Sequence, residues 1–265
     1  MTNLVQYRVE NGVAVFELNA GRANTYSYEL NRELDDCILR ARMDDGVHVI
    51  VIRGAGEKFF SAGADIKMLA EVTPQFKYAF CLHANETMNR LEQTPKLVIA
   101  AMNGHTVGGG LEIAMAADIR IARQGGGKWG LPEVALGVLP GTGGTQRLSR
   151  LVGKSKSIEL MIEGGLHDFE KALELGVINY LWPAEENGKT WWERVLEYAR
   201  SFCPPNKASK AVGRIKRSVQ SGWEVPLESG LALERELQQQ LFQSEDAKEG
   251  LDAYNEGRTP KFRGY

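Results

Sequence analysis

The distribution of apolar and polar positions divides the chain into elements before any chemistry is considered. Leu4 to Val9 and Val13 to Leu18 both alternate around Asn11-Gly12, a strong hairpin dipeptide, so a β-hairpin is expected, its first strand reached directly from Met1. From Ser27, a favoured N-cap residue, Leu30, Leu34, Ile38 and Ala41 recur at helical spacing until Asp44-Asp45-Gly46 stops them. Val47 to Ile52 is a β-branched run broken only by His48 and closed by Gly54-Ala55-Gly56, the pattern of a buried strand. Thr73-Pro74 predicts a second helix with Phe76, Phe80, Ala84, Met88 and Leu91 on one face, ending at Thr94-Pro95. Strands at Leu97 to Met102 and Asp118 to Ala122 flank a short helical stretch, Leu111 to Ala117. Such alternation implies βαβ crossovers and an α/β fold whose sheet is largely parallel with helices outside.

Beyond Thr142 the spacing predicts successive helices at Gly144 to Leu151, Lys154 to Glu163, Asp168 to Leu175, Trp191 to Phe202, Asn206 to Val219 and Pro226 to Phe242. One strand, Val177 to Leu181, interrupts them. Cys203-Pro204-Pro205 breaks the chain, so residues 1–203 are expected to form an α/β core with the site and 204–265 a C-terminal helical region.

Composition narrows the class. A chain of 265 residues that is 43% hydrophobic and 25% charged can bury a core without disulfides. Its net charge of −2 gives no global field for nucleic acid or acidic membranes. The basic stretch from Lys207 to Arg217 reads as the solvated face of a helix rather than an RNA-binding patch. Cys37, Cys81 and Cys203 are odd in number and widely spaced, which points to a reducing compartment. The first residues carry no basic segment followed by an apolar run, and no apolar stretch approaches the roughly 20 residues of a membrane span. A cytoplasmic protein that neither enters a membrane nor binds nucleic acid is the expectation.

Candidate chemistry gathers where strands should end. Glycine clusters there in Ser61-Ala62-Gly63-Ala64-Asp65, Gly108-Gly109-Gly110 and Pro140-Gly141-Thr142-Gly143-Gly144. Glycine lets the backbone approach a ligand closely, and a helix that begins at such a turn presents unpaired amides; each cluster alone could equally be a tight turn. Nucleotide motifs do not fit. The P-loop is absent, and the one formal Rossmann match, Gly125-x-Gly127-x-x-Gly130, runs into Leu131-Pro132 instead of an apolar-periodic helix. Glu112 is the only ionisable residue between His105 and Asp118, and Glu133 the only acidic one between Asp118 and Glu159. Either carboxylate could be a first-turn residue favoured by a helix dipole; together, in apolar surroundings, they suggest paired acid–base chemistry. His48, His83, His105 and His167 have no ligand spacing, so no metal site is expected.

These residues resemble the crotonase superfamily, and within it the enoyl-CoA hydratases. The resemblance rests on Phe59 to Lys67, on Asn103-Gly104 with Val107 to Met115, on Gly130-Leu131-Pro132-Glu133, and on Leu139 to Leu148. It implies a crotonase (ClpP-like) fold of repeated ββα units with a C-terminal helical region. The activity implied is reversible addition of water to a trans-2,3-enoyl-CoA, in β-oxidation or a related acyl-CoA route. No cofactor is implied, because coenzyme A belongs to the substrate. By the same resemblance the backbone N–H groups of Ala64 and Gly109 form the oxyanion hole, and Glu112 and Glu133 are catalytic, with Glu112 chiefly activating water and Glu133 chiefly delivering a proton at Cα. Ala62, Gly63, Asp65, Ile66, Lys67, Arg22, Pro132 and Gly141 would contact the substrate or its CoA, Arg22 standing in a loop shorter than is usual in the family. The segment from Met68 to Tyr78 would shape the acyl pocket. A homo-oligomer, a trimer or a dimer of trimers, is the implied assembly. Another crotonase reaction, isomerisation or hydration of a cyclic, dienoyl or branched acyl-CoA, is the first alternative, and a noncatalytic RNA-binding member of the family, suggested only by the Lys207 to Arg217 stretch, the second.

Overall fold

The computed structural model describes residues 3–265, so Met1 and Thr2 of the expected N-terminal segment lie outside the described residues. The chain opens with β1 (Val5–Glu10) and β2 (Val13–Leu18), then α1 (Tyr28–Met43). Next come β3 (Val49–Gly54), β4 (Phe59–Ser61), α2 (Ile66–Glu71) and α3 (Pro74–Gln93). A third passage comprises β5 (Leu97–Met102), β6 (His105–Val107) and α4 (Gly109–Met115), and a fourth β7 (Ile119–Arg123), β8 (Lys128–Gly130), α5 (Gly144–Val152) and α6 (Lys154–Glu163). The remainder is β9 (His167–Asp168), α7 (Phe169–Glu174), β10 (Tyr180–Trp182), the small hairpin β11 (Glu185–Glu186) and β12 (Lys189–Thr190), α8 (Trp191–Arg200), α9 (Ser209–Gly222), α10 (Leu227–Phe242) and α11 (Glu245–Glu256).

Local chemistry sets the early boundaries. Asn11 and Gly12 both have positive φ, 50° and 79°, as a two-residue turn matched to strand twist requires. Ser27 Oγ accepts from Leu30 N at 3.2 Å and Thr73 Oγ1 from Phe76 N at 3.2 Å, so both predicted caps are made.

Apart from the separate β11/β12 hairpin, the strands sort into two sheets where the periodicity predicts one. A six-stranded sheet runs β1-β2-β3-β5-β7-β10, parallel except for the first hairpin, and a four-stranded sheet runs β4-β6-β8-β9. In each of the pairs β3/β4, β5/β6 and β7/β8 the first strand joins the large sheet and the second the small one, which is the repeating unit of the fold. The small-sheet strands span two or three residues each. The predicted strand at Val177 to Leu181 is paired only over Tyr180–Trp182, and the predicted helix at Asn206 to Val219 starts and ends later, as α9. Among the described residues no helix is long and apolar enough to cross a membrane.

Both faces of the large sheet are covered, which explains its continuous apolar runs. Phe16, Ile50, Ile52, Val98 and Met102 enter one core with Leu30, Leu34, Met88 and Leu91 of α1 and α3. Their neighbours Val13, Val15, Val49, Val51 and Ile99 enter a second core under Trp191, Val195 and Ala199 of α8. The alternation along each strand assigns successive side chains to opposite layers.

The basic stretch on α9 is not wholly solvated, contrary to the sequence reading. Lys216 is only 6% exposed and its Nζ lies 2.8 Å from Asp118 Oδ2, while donating to the carbonyls of Leu91 and Lys96 at 3.2 and 3.1 Å. Asp118 Oδ2 also accepts from Val98 N at 2.7 Å. The pair therefore ties α9 to the end of α3 and the start of β5. Removing one member leaves the other charge buried without its partner, so Lys216→Met is expected to destabilise the protein by about 3–5 kcal/mol. The double variant Lys216→Met/Asp118→Asn should recover part of that loss in urea denaturation; no change in the single variant would contradict this role.

Candidate active site

The ends of β4 and β6 and the turns that follow them enclose a cavity of about 450 Å³. Its lining includes Glu112, Glu133, Ala64, Gly109, Ala62, Gly63, Ile66, Pro132 and Gly141, so nine of the twelve residues singled out from the sequence converge there. Asp65, Lys67 and Arg22 do not line it. Asp65 is the N-cap of α2, accepting from Lys67 N and Met68 N at 3.0 and 3.2 Å. The Lys67 side chain is exposed. Arg22 is exposed on the turn Gly21–Ala23, next to the Ala23 carbonyl that accepts from Ala62 N at 3.0 Å.

Each glycine of the triplet meets a different constraint. Gly108 has φ +54° and ψ −127°, and a Cβ there would lie 2.8 Å from Glu133 Oε1. A Cβ on Gly109 would come 2.8 Å from the Tyr26 ring, and one on Gly110 2.6 Å from Ser61 Cβ. The triplet thus lets the start of α4 press against β4 and the Tyr26 ring. Among the described residues the amide N–H groups of Ala64 and Gly109 have no protein acceptor, and both residues face the cavity. Two unpaired amides on one chamber are a ready receptor for a carbonyl oxygen that gains negative charge.

Glu112, in the first turn of α4, is 2% exposed. Its Oε1 accepts from Thr142 N and Gly144 N, both at 2.7 Å. Burial pushes its carboxyl above the ordinary value, and those two amides oppose the rise. Arg147 supports this loop: its Nε and Nη2 donate to the Glu92 carboxylate at 2.9 and 2.6 Å, and its Nη1 donates to Thr142 O at 3.2 Å. Arg147, held by Glu92, therefore fixes the carbonyl side of Thr142, the residue whose N–H donates to Glu112.

Glu133 opens the turn Glu133–Leu136, directly after Pro132. Among the described residues its buried Oε2 has no hydrogen-bond partner. Burial, with the nearby charge of Glu112, pushes its carboxyl up to about 7. The two acids thus share a chamber in unlike surroundings. Donors favour the anion of Glu112, whereas Glu133 has an unpartnered oxygen and a raised pKa, an arrangement suited to one base and one acid at neutral pH.

Two further residues complete the lining: Tyr26, which the sequence did not single out, and Lys77, inside the Met68 to Tyr78 segment expected to shape the acyl pocket. Tyr26 is 2% exposed, donates to Asn31 Oδ1 at 3.0 Å and stacks on Phe80 with centroids 5.5 Å apart. Among the described residues Lys77 is the only cationic side chain in the lining. Neither sits in a glycine cluster; a helix-face reading of Phe80 with Ala84 and Met88 marks the core, not the chamber.

Comparison with known proteins agrees with this geometry. The family model described as enoyl-CoA hydratase/isomerase matches residues 8–265. The chain is similar to a Bacillus subtilis protein named "Probable enoyl-CoA hydratase", 37% identical over 265 residues that cover 99% of both chains. It is also similar to the short-chain-enoyl-CoA hydratase of Clostridium acetobutylicum, 37% identical over 97% of this chain and 96% of that one. A crystal structure of an enoyl-CoA hydratase from Geobacillus kaustophilus HTA426 superimposes with a TM-score of 0.95 at 43% identity, covering 100% of this chain and 98% of that chain. With sequence and architecture matched from end to end, and with the two cores and two sheets accounted for, the chain belongs to the enoyl-CoA hydratase/isomerase family and has the crotonase fold.

Proposed function

We propose that the protein is an enoyl-CoA hydratase, adding water reversibly to a trans-2,3-enoyl-CoA to give a 3-hydroxyacyl-CoA. The observation that carries this reading is the convergence of Glu112 and Glu133 on a chamber that also presents the Ala64 and Gly109 amides. The thioester carbonyl would accept from those two N–H groups. Glu112, its anion favoured by two backbone donors, removes a proton from water as the oxygen bonds Cβ. The Cα–Cβ π pair moves toward the carbonyl, whose oxygen gains charge against the amides. Protonated Glu133 then delivers its proton to Cα, and the proton taken by Glu112 resets the pair through solvent, so one water is consumed and no net proton is released.

Two carboxylates favour hydration over isomerisation, because moving a double bond requires only one group to carry a proton between carbons. The CoA moiety would leave the chamber past Ala62 toward Arg22 and Lys67, both exposed and free to meet phosphate from solvent. Assembly as a trimer or a dimer of trimers is supported by exposed apolar residues on the C-terminal helices. Ile215 and Val219 on α9, and Trp223 at its C-cap, are 63%, 64% and 75% exposed.

Loss of enoyl-thioester absorbance with crotonyl-CoA tests the reading. Glu112→Gln and Glu133→Gln should each lower kcat by about 10²–10⁴-fold, the range of positioned proton transfer, with circular dichroism unchanged. Full activity in both variants would overturn it. The acid role of Glu133 fixes a pH dependence as well. A carboxyl that titrates near about 7 is protonated below that pH and spent above it, so the hydration rate should fall as pH rises through that value. A rate that climbs steadily through the same window contradicts the assignment of Glu133 as acid.

A further inference from the structure

One wall of the cavity comes from the end of α2 and the first turns of α3. Leu69, Val72, Pro74 and Phe80 make it apolar, and Lys77 interrupts it. The Lys77 ammonium lies 5.1 Å from the centroid of Phe80, which stacks on Tyr26, whose ring in turn packs against Gly109. The cation is therefore two rings away from the amide that would hold the thioester oxygen. A half-buried lysine ordinarily extends its head to water or finds a carboxylate. Among the described residues Lys77 Nζ has neither an ion pair nor a hydrogen bond, and it approaches neither Glu112 nor Glu133 to ion-pair distance. A group that served only to neutralise one of those acids would sit against it.

Apart from the backbone amides that hold Glu112 and those that face the thioester oxygen, the group among the described residues of this apolar wall that can partner a buried anion is that cation. We propose that Lys77 is a specificity-determining residue that selects enoyl-CoA thioesters whose acyl chain ends in a carboxylate. This rests on the hydratase reading for its reaction, but recognition of the acyl end can be measured without turnover. In the bound thioester, the acyl chain runs from the Ala64 and Gly109 amides past Phe80, and its terminal carboxylate accepts from the Lys77 ammonium. Phe80 holds the ammonium in place by its ring face. An uncharged acyl chain of the same length leaves the cation without an anion in the chamber and gains only apolar contact.

Calorimetric binding of two saturated, unreactive thioesters, glutaryl-CoA and butyryl-CoA, tests the proposal. The wild type should bind glutaryl-CoA roughly tenfold or more tightly, the scale of one charge-assisted contact. Lys77→Met should abolish that preference and Lys77→Arg should keep part of it. The wild-type preference should also shrink as salt is raised, a readout that does not depend on how well a variant folds. Equal or weaker binding of glutaryl-CoA by the wild type, or a preference that survives in Lys77→Met, overturns the proposal. Turnover of glutaconyl-CoA and crotonyl-CoA by the wild type separates the two ideas. A binding preference with no hydration of either ester overturns the hydratase reading alone, whereas hydration of both without a binding preference overturns the role of Lys77 alone.

Discussion

Glu112 is a carboxylate that the fold has removed from water and set beside a second carboxylate. Its negative form is tolerated there because Thr142 and Gly144, 30 and 32 residues further along the chain, aim both their N–H groups at one oxygen. Those donors are what opposes most directly the upward push that burial gives its carboxyl. The remaining architecture can be read as what brings that loop to that oxygen. α4 delivers the carboxylate from the end of the small sheet, and α5 begins at the donor loop. Arg147 on α5 clamps the loop to Glu92 on α3, so three helices share the placement of one hydrogen-bonded pair.

The two-sheet construction makes this convergence possible. Each ββα passage places a strand end and a following turn at the same side of the small sheet, so β4, β6 and β8 bring Ala64, Gly109 and Glu133 to one chamber. Close approach is what the glycine triplet provides. At Gly108 the backbone is left-handed and its Cα faces Glu133, while Gly109 and Gly110 admit the Tyr26 ring and Ser61. A side chain at any of the three would move the amide, the acid or the strand it packs against.

Much of this was legible in the chain, for identifiable reasons. The β1/β2 turn, the Ser27 and Thr73 caps and the long strands follow from local chemistry that acts within a few residues. Glu112 and Glu133 stood out because each is isolated in an apolar run, and the structure brings them together. The small sheet was not legible: its strands are two or three residues long, too short to show a period, and they form because the large sheet and the turns deliver them side by side. The second short helix, α2, carries a readable sign in Asp65 followed by Ile-Lys-Met-Leu-Ala-Glu, an N-cap before helix formers. Lys216 shows the limit of reading charge as exposure. Its partner Asp118 lies far away in sequence, and nothing near Lys216 distinguishes it from Lys210 or Arg217. Tyr26 and Arg147 were hidden for the same reason, since each acquires its role through contacts between distant segments, and Lys77 was legible only as part of the pocket-shaping segment from Met68 to Tyr78.

The central claim is that this chamber joins water to a double bond instead of moving the bond. Turnover of crotonyl-CoA in water labelled with both ¹⁸O and deuterium, with the product read by mass spectrometry, tests it most directly. The account predicts a 3-hydroxybutyryl thioester carrying ¹⁸O at Cβ and a single deuterium at Cα. A product with a displaced double bond and no ¹⁸O would contradict it.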